Sequence, residues 1–303
     1  MSQISASEAE REGLFFAPQP PRVVRWARGL WHFTRTKRLG AFGAILVITM
    51  VVLAVFADLV APFAVDHQVL TERFQGPSAS HIMGTDNLGR DMFSRVVFGA
   101  RESLSIALAA AGLNLVAATA LGTVSAYYGK WFDLLIQRFV DMWISMPGLL
   151  VIILFVSVFG PSKLLIILLI GLVGSAATSR IVRGSVLSIK QNQYVESARV
   201  VGANDLRIMV RHILPNIAPV IVVFFTINAG VFIITEASLA FLGFGTPPPA
   251  ATWGRMLNVS RTFLFEPWLA FWPGLFLTLT VFGFQVFGDA LRDVLDPRQR
   301  GAA

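Results

Sequence analysis

The chain has 303 residues, of which 55% are apolar and only 14% charged, a formal net charge of +7, and no cysteine. Soluble domains average about 45–50% apolar residues, so this balance points to a membrane protein, and the lack of cysteine excludes disulfides, thiolate metal sites and a cysteine nucleophile. The basic residues flank apolar runs instead of forming a tail interleaved with aromatics, which argues against nucleic acid and for membrane lipid as the surroundings.

Residues 1–38 form a basic leading segment, separate from a membrane region over 39–303. A signal peptide is disfavoured, because the basic stretch is too long and the apolar run after it has the length of a full span. Val23, Trp26, Leu30 and Phe33 fall near helical spacing, with Arg22, Arg25 and Arg28 between them. That pattern fits an interfacial helix on the inner leaflet; a disordered basic leader held by lipid charge is the alternative.

A bilayer core about 30 Å thick needs roughly 20 apolar residues of helix. Six runs of that kind follow, over 39–60, 103–127, 134–159, 164–181, 217–242 and 268–290, the third with Pro147 and Gly148 inside it. Lys and Arg are enriched on cytoplasmic flanks. With the N-terminus inside, the inner segments hold 18 of the 25 basic residues. Both termini and the loop at 183–216 are therefore expected in the cytoplasm. The outward loops are then 61–102, a turn at Gly160-Pro161, and 243–267.

No catalytic constellation stands out. Gly122 to Trp131 mimics a phosphate loop, but six residues separate the glycines and Trp131 follows Lys130 where Ser or Thr should bind magnesium. The four histidines show no ligating spacing, so no metal site is expected. The polar residues within the runs are few: Asn114, Arg138, Asp141, Asn228, Glu236, Gln285 and Asp289. Arg138 and Asp141 share a helix face and can anchor a helix end as a pair. Asn228, close to mid-span, suits an interhelical hydrogen bond. Glu236 could face a water-filled path, cap a helix or meet a partner subunit.

The polar insert between the fourth and fifth runs has an internal logic. Residues 194–201 suit a short helix, with Tyr194, Ala198 and Val201 on one face and Glu196 and Arg199 on another. Gly202 permits a backbone reversal. Asn204 is a good N-cap for a second helix, Leu206, Met209, Val210 and Ile213 mark its apolar stripe, and Pro215 should end it. Helix, turn, helix with placed Gly and Pro reads as a docking element, whereas a solvated linker would need neither.

The same residues carry a resemblance. Glu196, Ser197, Ala198, Gly202 and Ala203, followed by His212, Ile213, Leu214 and Pro215, resemble the EAA loop of permease subunits of bacterial ABC importers, with Ser197 and His212 as departures from the pattern. "HIMGTDNLGRDMFSRVVFGARESL" (81–104), "TEASLAFLGFGTPPPAATWGRML" (235–257) and "GDALRDVLDPRQR" (288–300) resemble blocks of the C-type permeases for dipeptides, oligopeptides and nickel. Residues 1–38 lie outside these blocks.

The resemblance implies an all-α polytopic membrane protein of six transmembrane helices in the bacterial inner membrane, with a cytoplasmic coupling-helix loop between helices 4 and 5. It implies half of a translocation pore shared with a second, similar permease subunit. Two cytoplasmic ATPase subunits would carry ATP and magnesium, so this chain needs no cofactor of its own, and an extracytoplasmic solute-binding protein would deliver the solute. Glu196, Ser197, Ala198, Gly202, Ala203, His212, Leu214 and Pro215 would couple to the ATPase. Gly84, Thr85, Asp86, Gly89, Arg90 and Asp91 would either face the binding protein or lock their own loop. Peptides are the expected solute, with nickel chelates or glutathione as alternatives. An ion-driven secondary transporter is the contrasting reading, but no inverted repeat or paired intramembrane acids support it.

Overall fold

The protein is described by a computed structural model over residues 34–295; the basic leader, including the 23–33 helix expected above, and Arg298 and Arg300 lie outside these residues. Helix α1 (Arg38–Val55) runs through a break at Phe56 into a short α2 (Ala57–Val60). Helix α3 (Met92–Tyr128) opens where the Asp91 carboxylate accepts from the Ser94 N–H at 2.7 Å and closes at Gly129. Helices α4 (Lys130–Ser145) and α5 (Gly148–Phe159) follow, then α6 (Lys163–Lys190), capped by Ser162.

Helix α7 (Gln193–Val200) and α8 (Asp205–Ile208) form the polar insert, and α8 passes through one π turn at Met209–Ile213 directly into α9 (Leu214–Phe241). Helix α10 (Trp253–Ser260), capped by Thr252, and α11 (Trp268–Leu295) complete the bundle. The one β pairing among the described residues is an isolated bridge between Thr85 and Asp91.

Among the described residues five helices are long and apolar enough to cross a membrane, and α4 with α5 makes a sixth crossing if that bent pair counts as one. Six crossings bring both described termini to the same end. Lys37 Nζ there lies 2.7 Å from Asp293 Oδ2, and the insert shares this terminal end. The opposite end is capped by the loops 61–91 and 242–267, which pack together through Phe74 and Phe263, with ring centroids 4.9 Å apart, and through Trp268 Nε1 donating to the Thr85 carbonyl at 3.2 Å.

Four expectations are corrected. The apolar run at 134–159 is not one straight helix: α4 and α5 meet at 79°. Pro147 has no N–H to donate and holds Met146 in extended backbone (φ −83°, ψ 133°), so the helix stops and restarts. The second span starts at Met92 rather than 103, because charges that lower local hydropathy are absorbed by the cap: Arg95 donates to the Val65 carbonyl and Arg101 to the Ala54 carbonyl and Asp58. The fourth span continues to Lys190, well into the expected loop. Pro215 does not end the insert's second helix. It stands at the start of α9 inside a helix that continues from α8, and the π turn at Met209–Ile213 accommodates a ring that has no N–H to donate.

Two apolar cores result. The larger joins α1, α3, α5, α6, α9, α10 and α11 around Ile106, Ile170, Ile233 and Trp253. The smaller sits at the terminal end, where Val195, Ile208 and Ile213 of the insert pack on Ala126, Tyr127, Val182 and Val186.

Candidate functional site

The insert is a built element with its own core. Asn204 Oδ1 accepts from the Arg207 N–H at 2.8 Å and starts α8. Gly202 adopts φ +84°, a left-handed conformation that side chains resist, and nothing lies within 4 Å of where its Cβ would sit. Its N–H donates to the Arg199 carbonyl and that of Ala203 to the Ala198 carbonyl, closing the end of α7.

The faces differ from those expected. On α7 the inward residue is Val195, fully buried, with Ala198 beside it. Tyr194 and Val201 point outward. On α8 and the π turn, Ile208, Met209 and Ile213 face the core, whereas Leu206 and Val210 are exposed. A regular helix would keep Leu206, Met209, Val210 and Ile213 on one stripe; turning inward at Ile208 and Met209 and adding a residue in the π turn splits it.

The outward surface therefore combines polar and large apolar groups. Gln193, Glu196, Ser197, Val200 and Val201 line a shallow depression, with Val200 and Val201 81% and 86% exposed. His212 is partly buried and its carbonyl accepts from Asn216 Nδ2 at 2.7 Å; Leu214 packs on the smaller core and Pro215 is exposed.

Polar side chains hold this end of the bundle together, and one of them ties the insert to it. Tyr127, at the end of α3, donates its hydroxyl to Asp205 Oδ1 at 2.6 Å. Lys190 Nζ donates to the Ala126 and Tyr127 carbonyls at 3.2 and 2.5 Å, closing the α3 C-terminus. Asp133 of α4 receives Arg183 of α6 at 2.7 and 2.5 Å and is also hydrogen-bonded to Ser125. Arg138 lies 3.7 Å from Asp141, and Arg180 also pairs with that aspartate. The Arg138–Asp141 pair is the one expected from its spacing; the other partners come from different helices, so only their charge and hydroxyl chemistry near span ends could have hinted at the pairing.

At the capped end, the block from Gly84 to Asp91 turns inward. Asp86 is buried; its Oδ1 accepts from the Leu88 and Arg90 N–H groups, and its Oδ2 receives Arg90 Nε at 2.7 Å, with Arg95 Nε 3.4 Å away. Thr85 Oγ1 accepts from the Gln75 N–H and donates to the Glu72 carbonyl. Asp91 holds Ser94 and, at 2.9 Å, His81 Nδ1, while His81 Nε2 lies 3.3 Å from Glu72. Gly84 accepts the Met92 N–H, and Gly89 passes so close to the Val69 backbone that no side chain fits. Arg255 of α10 also faces this cluster; burial and the nearby Arg90 charge lower its pKa.

Inside the bundle, Asn228 Nδ2 donates to Asn114 Oδ1 and Thr178 Oγ1, both at 3.2 Å, bridging α9 to α3 and α6. Glu236 is fully buried; its Oε2 accepts from Ser103 Oγ at 3.2 Å, and its Oε1 has no hydrogen-bond partner. Among the described residues no group of three or more His, Asp or Glu is placed to hold a metal ion.

Helices long enough to span a membrane, with a helix-turn-helix seated on its own core at one end and a locked cap at the other, define an all-helical, multi-span membrane protein. Residues 118–301 match the family described as binding-protein-dependent transport system inner membrane component, and residues 25–77 match the N-terminal TM domain of oligopeptide transport permease C. The chain is 41% identical over 285 residues to the glutathione transport system permease protein GsiD of Shigella sonnei, covering 93% of this chain and 94% of that one. It is 38% identical over 279 residues to the dipeptide transport system permease protein DppC of Alkalihalophilus pseudofirmus, covering 92% and 91%. An inward-facing crystal structure of the MetNI methionine ABC transporter shares the fold, with a TM-score of 0.54 at 17% identity over 68% of this chain and 98% of that one. The protein belongs to the binding-protein-dependent transport system inner membrane component family and is a multi-pass inner-membrane permease subunit. The match from residue 25 carries the likeness further toward the N-terminus than the four sequence blocks do.

Proposed function

We propose that this subunit forms half of a pore for di- or oligopeptides and is driven by ATPases that seat on the α7–α8 insert. The observation that carries the coupling role is the exposed pair Val200 and Val201 on a helix whose other face is buried in its own core. Large apolar side chains on a rigid, polar-rimmed projection are what a partner groove would cover. ATP and magnesium would reside on those partners, and a second permease would complete the pore.

The peptide assignment rests on the relatives, which are named for dipeptide and glutathione transport; glutathione is itself a small peptide. The basic-residue count favours a cytoplasmic insert and cytoplasmic termini, and with that orientation the cap would lie outside, toward a solute-binding protein. The inward-turned hydrogen bonds of Gly84 to Asp91 favour a loop-locking role for that block over direct contact with the binding protein.

The test is uptake of radiolabelled dialanine and glutathione in a deletion strain complemented with wild type or Glu196→Lys, together with co-purification of the ATPases. Wild type restores uptake of at least one probe and retains the ATPases, and Glu196→Lys loses both while remaining in the membrane. Full uptake and ATPase retention by Glu196→Lys would refute the coupling role.

A further inference from the structure

We infer that Tyr127 is a positioning residue that straps the α7–α8 insert to α3, so that displacement of the insert is delivered to the far end of the subunit through one continuous helix. This inference rests on the proposal that ATPases seat on the insert.

Helix α3 is 37 residues long, which at 1.5 Å per residue makes a rod of about 55 Å. Its two ends are fastened differently from its middle. At the capped end, Asp91 joins the rod to His81 and thence to Glu72. At the terminal end Tyr127 is buried, its ring lies in the smaller core, its carbonyl accepts Lys190, and its hydroxyl reaches Asp205 in the first turn of α8. Lys190 Nζ stands 5.6 Å from the centre of the Tyr127 ring, and Arg199 of α7 also faces the hydroxyl. One side chain thus touches α3, α6 and both helices of the insert.

Apolar packing alone resists separation of the insert from the bundle but resists sliding poorly, because one buried apolar arrangement can exchange for another a turn away. The hydrogen bond to a carboxylate is directional and charge-assisted, and it fixes the register that the packing leaves free. Asp205 also stands where the insert turns from α7 toward the membrane, so it receives any push on α7 before the spans do.

The test uses the complete transporter in nanodiscs, with spin labels at Tyr194→Cys on α7, away from the Val200 and Val201 contact, and Ile82→Cys on the capped end; both sites are exposed, and this chain has no native cysteine. With Tyr127 present, insert and rod move as one body. The label distance then keeps the same narrow distribution with and without ATP. Tyr127→Phe, which removes one oxygen and leaves the ring packed, should broaden or shift that distribution by up to about 5 Å on ATP binding, one turn of helix. It should also lower the stimulation of ATP hydrolysis by the binding protein several-fold, with ATPase retention unchanged.

Asp205→Ala should reproduce the effect, and Asp205→Asn, which keeps the accepting oxygen, should restore the narrow distribution. An unchanged distribution and unchanged stimulation in both Tyr127→Phe and Asp205→Ala would overturn the inference. Failure of wild type to retain the ATPases would instead overturn the reading of the insert as their seat. If Tyr127→Phe does not accumulate in the membrane, the Asp205 pair decides alone: Ala and Asn behaving alike would count against the strap.

Discussion

Gly122 of α3 rests against Ser179 of α6 so closely that a methyl group on it would lie 2.5 Å from the Ser179 carbonyl oxygen. Gly171 of α6 makes the matching approach, its absent Cβ 2.8 Å from the Ala110 carbonyl oxygen, and these two contacts hold α3 and α6 backbone to backbone. Apolar side chains gain little by leaving lipid for protein, so close packing of small residues supplies much of the attraction between membrane helices.

Gly122→Val should therefore force the two backbones apart and destabilise the purified subunit by about 2 kcal/mol or more. Gly112 on the same helix has nothing within 4 Å of its missing Cβ, so Gly112→Ala should be neutral or slightly stabilising. Thermal melting of both variants in detergent checks this, and equal losses would sink the packing argument.

Gly202 separates conformation from contact. A side chain there meets no atom of this chain, so its cost is the left-handed backbone alone, about 1 kcal/mol, and less for Asn. Gly202→Asn should keep both melting temperature and uptake near wild type. Gly202→Asp is similarly tolerated by the backbone, and loss of uptake with an unchanged melting temperature would report a partner surface that rejects the charge.

Asp91→Ala removes the cap of α3 and leaves buried His81 and Ser94 groups unpaired, which should cost about 3 kcal/mol. Arg90→Glu sets a second carboxylate beside buried Asp86 and should also lower the melting temperature. Affinity for the solute-binding protein, measured by titration on the still-folded fraction, should be unchanged in Arg90→Glu. A large loss of affinity without loss of stability would reassign that block to partner recognition.

Glu236 can be resolved by an isosteric pair. Glu236→Gln keeps an oxygen for Ser103 and should match or exceed wild-type stability, since the carboxylate has Ser103 on Oε2 and an unpartnered Oε1. Glu236→Ala leaves a cavity and an unpaired hydroxyl next to Trp253, whose backbone N–H is also held by Ser103, and should cost about 2–3 kcal/mol. Equal melting temperatures for Gln and Ala would show that the carboxylate does not hold α10 to the bundle.

Sequence reading located the insert because its signals are local. Asn204 caps the helix that follows it, Gly202 turns the chain where it stands, and both act within four residues. The cap of α3 was equally local, since Asp91 and Ser94 are three apart, but a hydropathy window weighs Arg95, Arg101 and Glu102 against a span and cannot know that distant carbonyls will receive them. Arg95 reaches back 30 residues and Arg101 reaches 47.

By itself the sequence determined that the chain is a multi-span helical membrane protein with one polar helix-turn-helix, because apolar run length and the chemistry of Gly, Asn and Pro act at short range. The tertiary structure alone decided which way each helix faces and what holds it. Val195 rather than Tyr194 faces inward because the second core, built on Ala126, Tyr127, Val182 and Val186, sets the rotation of α7. Asn228 meets Asn114 across 114 residues, and Tyr127 meets Asp205 across 78. Such pairings depend on how long rods pack side by side, and small-residue contacts like Gly122 on Ser179 fix that packing through backbone approach, which no short-range pattern encodes.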